Sequence, residues 1–343
     1  MDTSVIFPVM PADPADAVPF AELVARGDLS RLWQGQSLTI ETHQMFAYLA
    51  GMGFRLPFGT AVTLMPLRHP MEAAAQGRSL ARLTGRRVTL GIGPGSPDFV
   101  ASLRGDPYES PRAACADYLR QVRGFLGERQ ADGARGEGAE ERAGGERRGK
   151  VSESGRSASG MPALDHPGVD LGLGVLRPAL ARLAGEVADV AISWMTPPGY
   201  LARDLVPALH RGARAAGRPV PRLVTVVHVA VARPGRDPRQ LAFAAARAHL
   251  GAPHYTDMLK RAGLRVHPSQ PYLNARALVD SGTFVYGTPP EVAAALAAYD
   301  RAGVDEVVLN PAGVGLTHGW PAALEDLTEL AAGIRLARSG VIA

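Results

Sequence analysis

The chain has 343 residues, 46% of them hydrophobic and 20% charged, with a formal net charge of +4. That composition excludes a wholly disordered chain, a collagen-like one and a small disulfide scaffold, and it is ample for a sizeable core. Cys115 is the one cysteine, so an intrachain disulfide and a multi-thiolate zinc site are both excluded. No basic run has aromatics interleaved, and no stretch of about 18 apolar residues occurs, so neither nucleic-acid binding nor a membrane span is expected. The opening Met1-Asp2-Thr3 lacks a basic region followed by an apolar one, and a cytoplasmic protein is expected.

Short β-rich runs alternate with longer amphipathic ones, and the periodicity predicts the elements. Ser4 to Met10 reads as a strand and Ala15 to Arg26 as a helix, and Leu32 to Gln36 with Thr39 to Gly51 repeats the pair. A strand over Phe58 to Met65 leads to a helix over Met71 to Leu83, and a strand over Arg87 to Ile92 leads to a helix over Pro111 to Leu126. Ser110 supplies an N-cap oxygen to that helix, and Pro111 presets φ at its first position. From Glu128 to Gly160 the composition shifts to Gly, Ala, Glu, Arg and Ser, with no aromatic residue. Such a stretch buries too little apolar surface to offset its ordering entropy. It is expected to be a flexible surface insertion, with a segment that folds on a partner as the alternative.

Beyond it the alternation resumes. Val169 to Leu173 is a strand before a helix near Arg177 to Ala184, and Val187 to Trp194 is a strand before a helix over Tyr200 to Ala216. Arg222 to Ala232 is strongly β-branched, and helix follows to about Arg261 with a break near Pro253. Thr288 and Glu291 form an S/T-x-x-E capping box. The strand Glu306 to Asn310 and a helix after Trp320 close the chain. About eight strand–helix repeats predict a closed (β/α)8 TIM barrel, a single domain over residues 1–343, in preference to a doubly wound open sheet.

Active sites of such barrels lie where the strands end. Two of these ends are glycine-rich, with Gly91, Gly93 and Gly95 in one and Gly172 and Gly174 before Val175, Leu176 and Arg177 in the other. Glycine lets backbone N–H groups approach a ligand and helix starts favour anions, so a phosphate cradle stands beside the plain turn reading. No H-E-x-x-H, G-x-S-x-G or ligand-spaced His/Asp/Glu cluster is present, and no metal is expected. Cys115 falls inside a helical pattern and reads as core, and His69 reads as structural at a helix start. His228 lies in an apolar β run, as a lumen histidine or a site residue. Gln36 and His43, which follow the second strand, are the catalytic candidates. A barrel this poor in its own acids, bases and nucleophiles points to a bound cofactor as the bearer of the chemistry.

Three segments carry a resemblance. Gly59 to Gly95, GTAVTLMPLRHPMEAAAQGRSLARLTGRRVTLGIGPG, resembles the luciferase-like monooxygenase superfamily. Leu171 to Tyr200, LGLGVLRPALARLAGEVADVAISWMTPPGY, and Gly287 to Asn310, GTPPEVAAALAAYDRAGVDEVVLN, are similar to later segments of the same superfamily, in the same order. Trp194-Met195-Thr196-Pro197-Pro198 resembles its F420-dependent branch. The resemblance implies a (β/α)8 barrel that binds coenzyme F420, or alternatively FMN, at its C-terminal mouth. It implies a non-proline cis peptide at Ala61–Val62 that backs the flavin ring, with Thr63 beside it, and cofactor contacts from both glycine loops. A homodimer paired through helical faces belongs to the same expectation.

Many F420 enzymes of this family carry Asp-His after the second strand, where this chain has Gly35-Gln36. Gln36 is expected to hydrogen-bond the cofactor ring or the substrate, with a loop amide bonding only nearby backbone as the alternative, but a glutamine does not act as an acid at neutral pH. The expected reaction is hydride transfer from reduced F420 to an activated C=C or C=N bond. The expected substrate is a specialised metabolite or a dehydroamino acid in a modified peptide, met by Tyr108, Trp194 and Tyr200. An FMN-dependent monooxygenase and a non-catalytic flavin-binding barrel are the rival expectations.

Overall fold

The computed structural model describes residues 1–127, 161–162 and 164–338, so the expected insertion at 128–160 lies outside the described residues. The described residues form ten parallel strands: β1 (Asp2–Phe7), β2 (Leu32–Gln34), β3 (Phe58–Thr60), β4 (Thr63–Leu64), β5 (Val88–Gly93), β6 (Val169–Gly174), β7 (Val190–Trp194), β8 (Arg222–Val231), β9 (Phe284–Gly287) and β10 (Glu306–Asn310). Neighbours run in the order β1, β2, β3, β5, β6, β7, β8, and β10 pairs with both β8 and β1. These eight close into a parallel barrel with helices around it, the fold the alternation predicts. β8 is long enough to serve two partners: Val224 to His228 pair with β10, and His228 to Val231 with β9.

Residues paired across a parallel sheet point to the same side, and the registers sort them. Ile6, Trp33, Ile192, Val224, Val226 and Val308 form one buried cluster in the lumen. Intervening residues such as Val5, Leu171, Leu173, Val227 and Leu309 join the larger core between barrel and helices. Bulky residues fit in the lumen because glycines face them. A Cβ on Gly59 would run into the Trp33 ring, and one on Gly172 would lie 2.8 Å from Ile192 Cδ1. Gly91, paired with Gly172 in register, faces the same Ile192 side chain.

The structure departs from the expected elements where local geometry intervenes. The strand expected over Phe58 to Met65 is split into β3 and β4 by the cis peptide Ala61–Val62. The helix expected from Tyr200 to Ala216 begins as Pro198–Tyr200, widens into a π-helical turn over Leu201–Leu205, and becomes α-helical only over Val206–Ala215. Pro207 has no N–H for the carbonyl one turn back and its ring crowds that turn, which accounts for the widening. The helices Pro97–Arg104, Pro271–Asp280 and Ala312–His318 and the strand β9 lie outside the sequence reading. Among the described residues, no helix is long and apolar enough to cross a membrane.

The N-terminal floor of the barrel rests on one buried carboxylate. Glu306 Oε1 accepts from Ser4 Oγ at 2.6 Å and from Trp33 Nε1 at 2.7 Å and has Arg31 at 3.8 Å, while Arg222 approaches Oε2 at 3.3 Å. Its side chain is 2% exposed and that of Arg31 is 11% exposed. Removing Glu306 leaves the Ser4 hydroxyl and Trp33 Nε1 without their acceptor and the buried Arg31 without its counter-charge, whereas the half-exposed Arg222 keeps Asp2. Glu306→Ala is expected to cost about 3–5 kcal/mol, read as a fall in the denaturant midpoint, and an unchanged midpoint would contradict this account of the floor.

Candidate functional site

Every barrel strand ends at the same rim, and the cis peptide stands there. Ala61 N donates to Gln34 O at 2.9 Å and Gln36 N donates to Val62 O at 3.0 Å, tying the bend to the loop after β2. The half-buried Val62 side chain rises between the two glycine strands. A Cβ on Gly93 would approach it to 2.7 Å, whereas one on Gly174 would sit 3.5 Å away in ordinary contact. Gly93 and Gly174 thus border Val62 with backbone alone: Val62 fills the space beside Gly93, and the slot lies on the Gly174 side. Gly91 and Gly172 lie one layer deeper in the lumen, where close packing accounts for them. Gly95 has φ +81°, a left-handed turn that favours glycine. Thr63 is buried, and its hydroxyl donates to Gly91 O at 3.1 Å.

Gln36 has both ends of its amide engaged. Oε1 accepts from Leu64 N at 3.1 Å and from Arg68 Nη1 at 3.4 Å, and Nε2 donates to Ser37 O at 2.8 Å. It ties the loop after β2 to β4. His43 and Gln36 both line a groove of about 610 Å³ walled by the loop after β2, Arg68 and the helices Thr42–Gly51 and Pro70–Thr84. His43 Nδ1 is 2.9 Å from Glu41 Oε1, and Arg68 Nη2 donates to the same oxygen at 3.1 Å. Burial pushes the Glu41 carboxyl up, but His43, the Gln44 amide and Arg68 outweigh it and bring its pKa to about 2.

On the other side of the mouth, Val175 is buried and its N–H donates to Ile192 O at 2.8 Å. Leu176 is half-buried. Arg177 is exposed and paired with Asp257 at 2.9 Å, just before the helix Pro178–Val187, whose start has no side-chain cap. Tyr200 is buried at 2% exposure, with its hydroxyl donating to Leu176 O at 3.3 Å. Tyr108 is half-buried with the Arg104 guanidinium 4.4 Å above its ring. Of the three aromatic candidates, Trp194 is the one at the rim, as the last residue of β7.

Around Trp194 the fold gathers His228, which the sequence reading left as a lumen or a site histidine, with His249, Tyr255 and Phe284, which it passed over. Its indole stacks on His249 at 5.3 Å and meets His228 edge-on at 5.9 Å. Tyr255 stands edge-on to His249 at 4.7 Å, and Phe284 lies nearly parallel to His228 at 6.4 Å. Burial, with His249 nearby, pushes His228 down to about 3 despite the Asn310 side chain acting the other way. Burial, with His254 nearby, pushes His249 down to about 4. Both imidazoles are therefore neutral at pH 7. The Cys115 thiol, pushed up to about 12 by burial, is inert there too. The described residues hold no cluster of three or more His, Cys, Asp or Glu suited to a metal ion.

This architecture is a (β/α)8 barrel whose candidate site is a slot at the C-terminal rim, with an aromatic, uncharged wall beside it. The family model of the luciferase-like monooxygenases matches residues 3–306, and the chain belongs to that family. A 4-hydroxyprotoasukamycin monooxygenase of Streptomyces nodosus subsp. asukaensis is 34% identical over 99 residues, 27% of this chain and 27% of that protein's length. An F420-dependent secondary alcohol dehydrogenase solved in complex with an F420-acetone adduct superposes with a TM-score of 0.67 at 17% identity, over 97% of this chain and 99% of the other. A monooxygenase from Streptomyces bottropensis does so at 0.66 and 16% identity, over 98% and 100%. At such identities the structural likeness speaks for the fold alone.

The buried imidazoles make stability pH-dependent. In the unfolded chain His228 takes up a proton near its ordinary value of 6.5, but in the folded protein only near 3. The unfolded state binds more protons between those values, so stability falls as pH drops through that window. From pH 7 to pH 5 the contribution of His228 is about 2 kcal/mol. His228→Phe is expected to unfold in urea with a correspondingly smaller loss over that range, and an equal loss in both proteins would contradict it.

Proposed function

We propose that the protein is an oxidoreductase that holds reduced coenzyme F420 at the C-terminal rim of its barrel and reduces an electron-poor C=C or C=N bond. FMN is the alternative cofactor. The observation that carries this reading is the slot itself: Val62 forms a raised apolar platform on the cis bend, and Gly93 and Gly174 leave its flanks free of side chains. A planar tricyclic ring fits such a platform. The uncapped start of the helix Pro178–Val187 leaves first-turn N–H groups for an anionic tail, with Arg177 beside them. Arg177 would exchange Asp257 for that tail.

When bound, reduced F420 supplies a hydride to the acceptor carbon. The chain's own part is to bind, orient and exclude water. Val62 would support the ring, the Gln36–Leu64 hydrogen bond holds the bend in place, and Trp194 with its aromatic neighbours would wall off the acceptor's side. A general base for alcohol oxidation needs a pKa near the working pH. Gln36 does not ionise, and His228 and His249 lie near 3 and 4. This set supports reduction of an activated double bond, with the one proton that completes it taken from water. A specialised metabolite or a dehydroamino acid in a modified peptide has such a bond.

The cofactor is tested by titrating the purified protein with F420 and with FMN. Tight F420 binding with turnover of an activated alkene supports the reading. FMN binding with oxygen uptake would replace it with a monooxygenase, and tight binding without turnover would replace it with a binding protein. Gly174→Val fills the slot at a position where the fold accepts a Cβ, and it should weaken cofactor binding by at least about 1–3 kcal/mol at an unchanged melting temperature. Arg177→Ala acts in the same direction but less, because an exposed charge is screened. Gln36→Ala leaves the Leu64 amide without its acceptor; it should lower stability by about 1 kcal/mol and reduce turnover with reduced F420.

A further inference from the structure

The loop after β2 is fastened to the cis bend by more than Gln36. Arg68 follows the turn Met65–Leu67 beyond β4, and only 6% of its side chain is exposed. Its backbone is held from the outer layer, where the Tyr118 hydroxyl donates to Arg68 O at 3.1 Å. Its guanidinium spans the two ends of the loop after β2. Nη2 donates to Glu41 Oε1 at 3.1 Å, and Nη1 donates to Gln36 Oε1 at 3.4 Å. Glu41 is itself fixed as the N-cap of the helix Thr42–Gly51, where Oε2 accepts from His43 N at 2.7 Å and Gln44 N at 3.1 Å. An ionised carboxylate only accepts, so His43 Nδ1, 2.9 Å from Oε1, carries its proton on that side. Glu41 stays ionised near neutral pH, since its pKa is about 2.

We propose that Arg68 is a positioning residue for the cofactor platform: clamped by Glu41, it locks the Gln36 amide in the one orientation that holds the Val62 bend. The inference rests on the reading of Val62 as the support of the cofactor ring, and it assigns a charged pair outside the slot to the alignment of that support. An amide is nearly symmetric in shape, so its partners decide which way it faces. Oε1 meets two donors, Leu64 N and Arg68 Nη1, and Nε2 meets an acceptor, Ser37 O. Turning the amide over would set an NH2 group against both donors and an oxygen against a carbonyl. Without Arg68, one of the two donors that oppose the turn is gone. In the locked orientation Gln36 grips the bend twice: its backbone N–H donates to Val62 O at 3.0 Å, and its side chain accepts from Leu64 N at 3.1 Å. A lysine would not replace the arginine. Its ammonium is a point charge on a flexible stem, whereas the planar guanidinium reaches Glu41 and Gln36 at once.

NMR-detected hydrogen exchange on the cofactor-free protein, with titrations of F420 and of FMN, tests this on Arg68→Met, Arg68→Lys, Glu41→Gln and Gln36→Ala. In Arg68→Met the Leu64 amide is expected to exchange about three- to tenfold faster, as for one weakened hydrogen bond, while the amides of β10 keep their rates. Arg68→Lys, which retains a charge for Glu41, and Glu41→Gln, which frees the guanidinium, should shift Leu64 in the same direction; they carry the test if Arg68→Met does not fold. Whichever cofactor the protein binds should bind about three- to tenfold more weakly to each variant. Because Arg68 acts through Gln36, adding Arg68→Met to Gln36→Ala should weaken binding no further. An unchanged Leu64 rate, equal quickening of Leu64 and β10, full rescue by lysine, or the same loss of affinity in both backgrounds would overturn the proposal. Failure to bind either cofactor would overturn the functional reading, and the exchange rates, measured without cofactor, would still decide whether Arg68 holds the bend.

Discussion

The lumen of this barrel is filled by opposing large and small residues, and the position of everything at the rim depends on that fit. Trp33 occupies the space that Gly59 leaves, and Ile192 occupies the space left by Gly91 and Gly172. A side chain at any of these glycines would force the strands apart in an interior packed as densely as an organic crystal. With the lumen full, nothing can sink into it, and Val62 and Trp194 rest on top of the cluster. A ligand bound at this end therefore lies on a solid floor.

Below that floor, Glu306 joins Ser4, Trp33, Arg31 and Arg222, so a buried charge anchors the N-terminal end. Above it, polarity takes another form. The rim carries backbone N–H groups, an amide and neutral ring nitrogens, and its two buried imidazoles are held in their uncharged form. The barrel thus separates a structural end built on a buried charge from a rim whose ion pairs, Arg68 with Glu41 and Arg177 with Asp257, flank a wall of neutral rings. Such an end favours chemistry carried by a bound ring over acid–base chemistry carried by side chains.

The glycine loops show how one residue type can serve two purposes within a few positions. Alternation along β5 and β6 turns Gly91, Gly93, Gly172 and Gly174 all inward. The deeper pair meets Ile192 and the shallower pair meets Val62. A glycine-rich strand end read as a ligand loop is therefore half lumen packing and half slot. Gln36 has a similar double character, as a rim residue whose amide also fastens β2's loop to β4.

Local chemistry was enough for much of the fold. The helix Pro111–Leu126 begins and ends where the sequence places it, because Ser110 and Pro111 start it and Gly127, at φ 79°, stops it through the nearest backbone alone. β10 matches for a similar reason: a β-branched run bounded by polar and proline residues has no competing period. Eight such alternations determine a parallel barrel and hence the end at which to look for a site. The family likeness marked Ala61–Val62 before the bend was seen. Partnership was settled by tertiary structure. His249 reaches Trp194 across 55 residues and Phe284 reaches His228 across 56, and Arg177 meets Asp257 across 80. No period or motif encodes such contacts, since they arise only when closure of the sheet brings the strand ends to one rim. The acidity of the buried imidazoles was equally out of reach, because desolvation is a property of the surroundings and not of the residue.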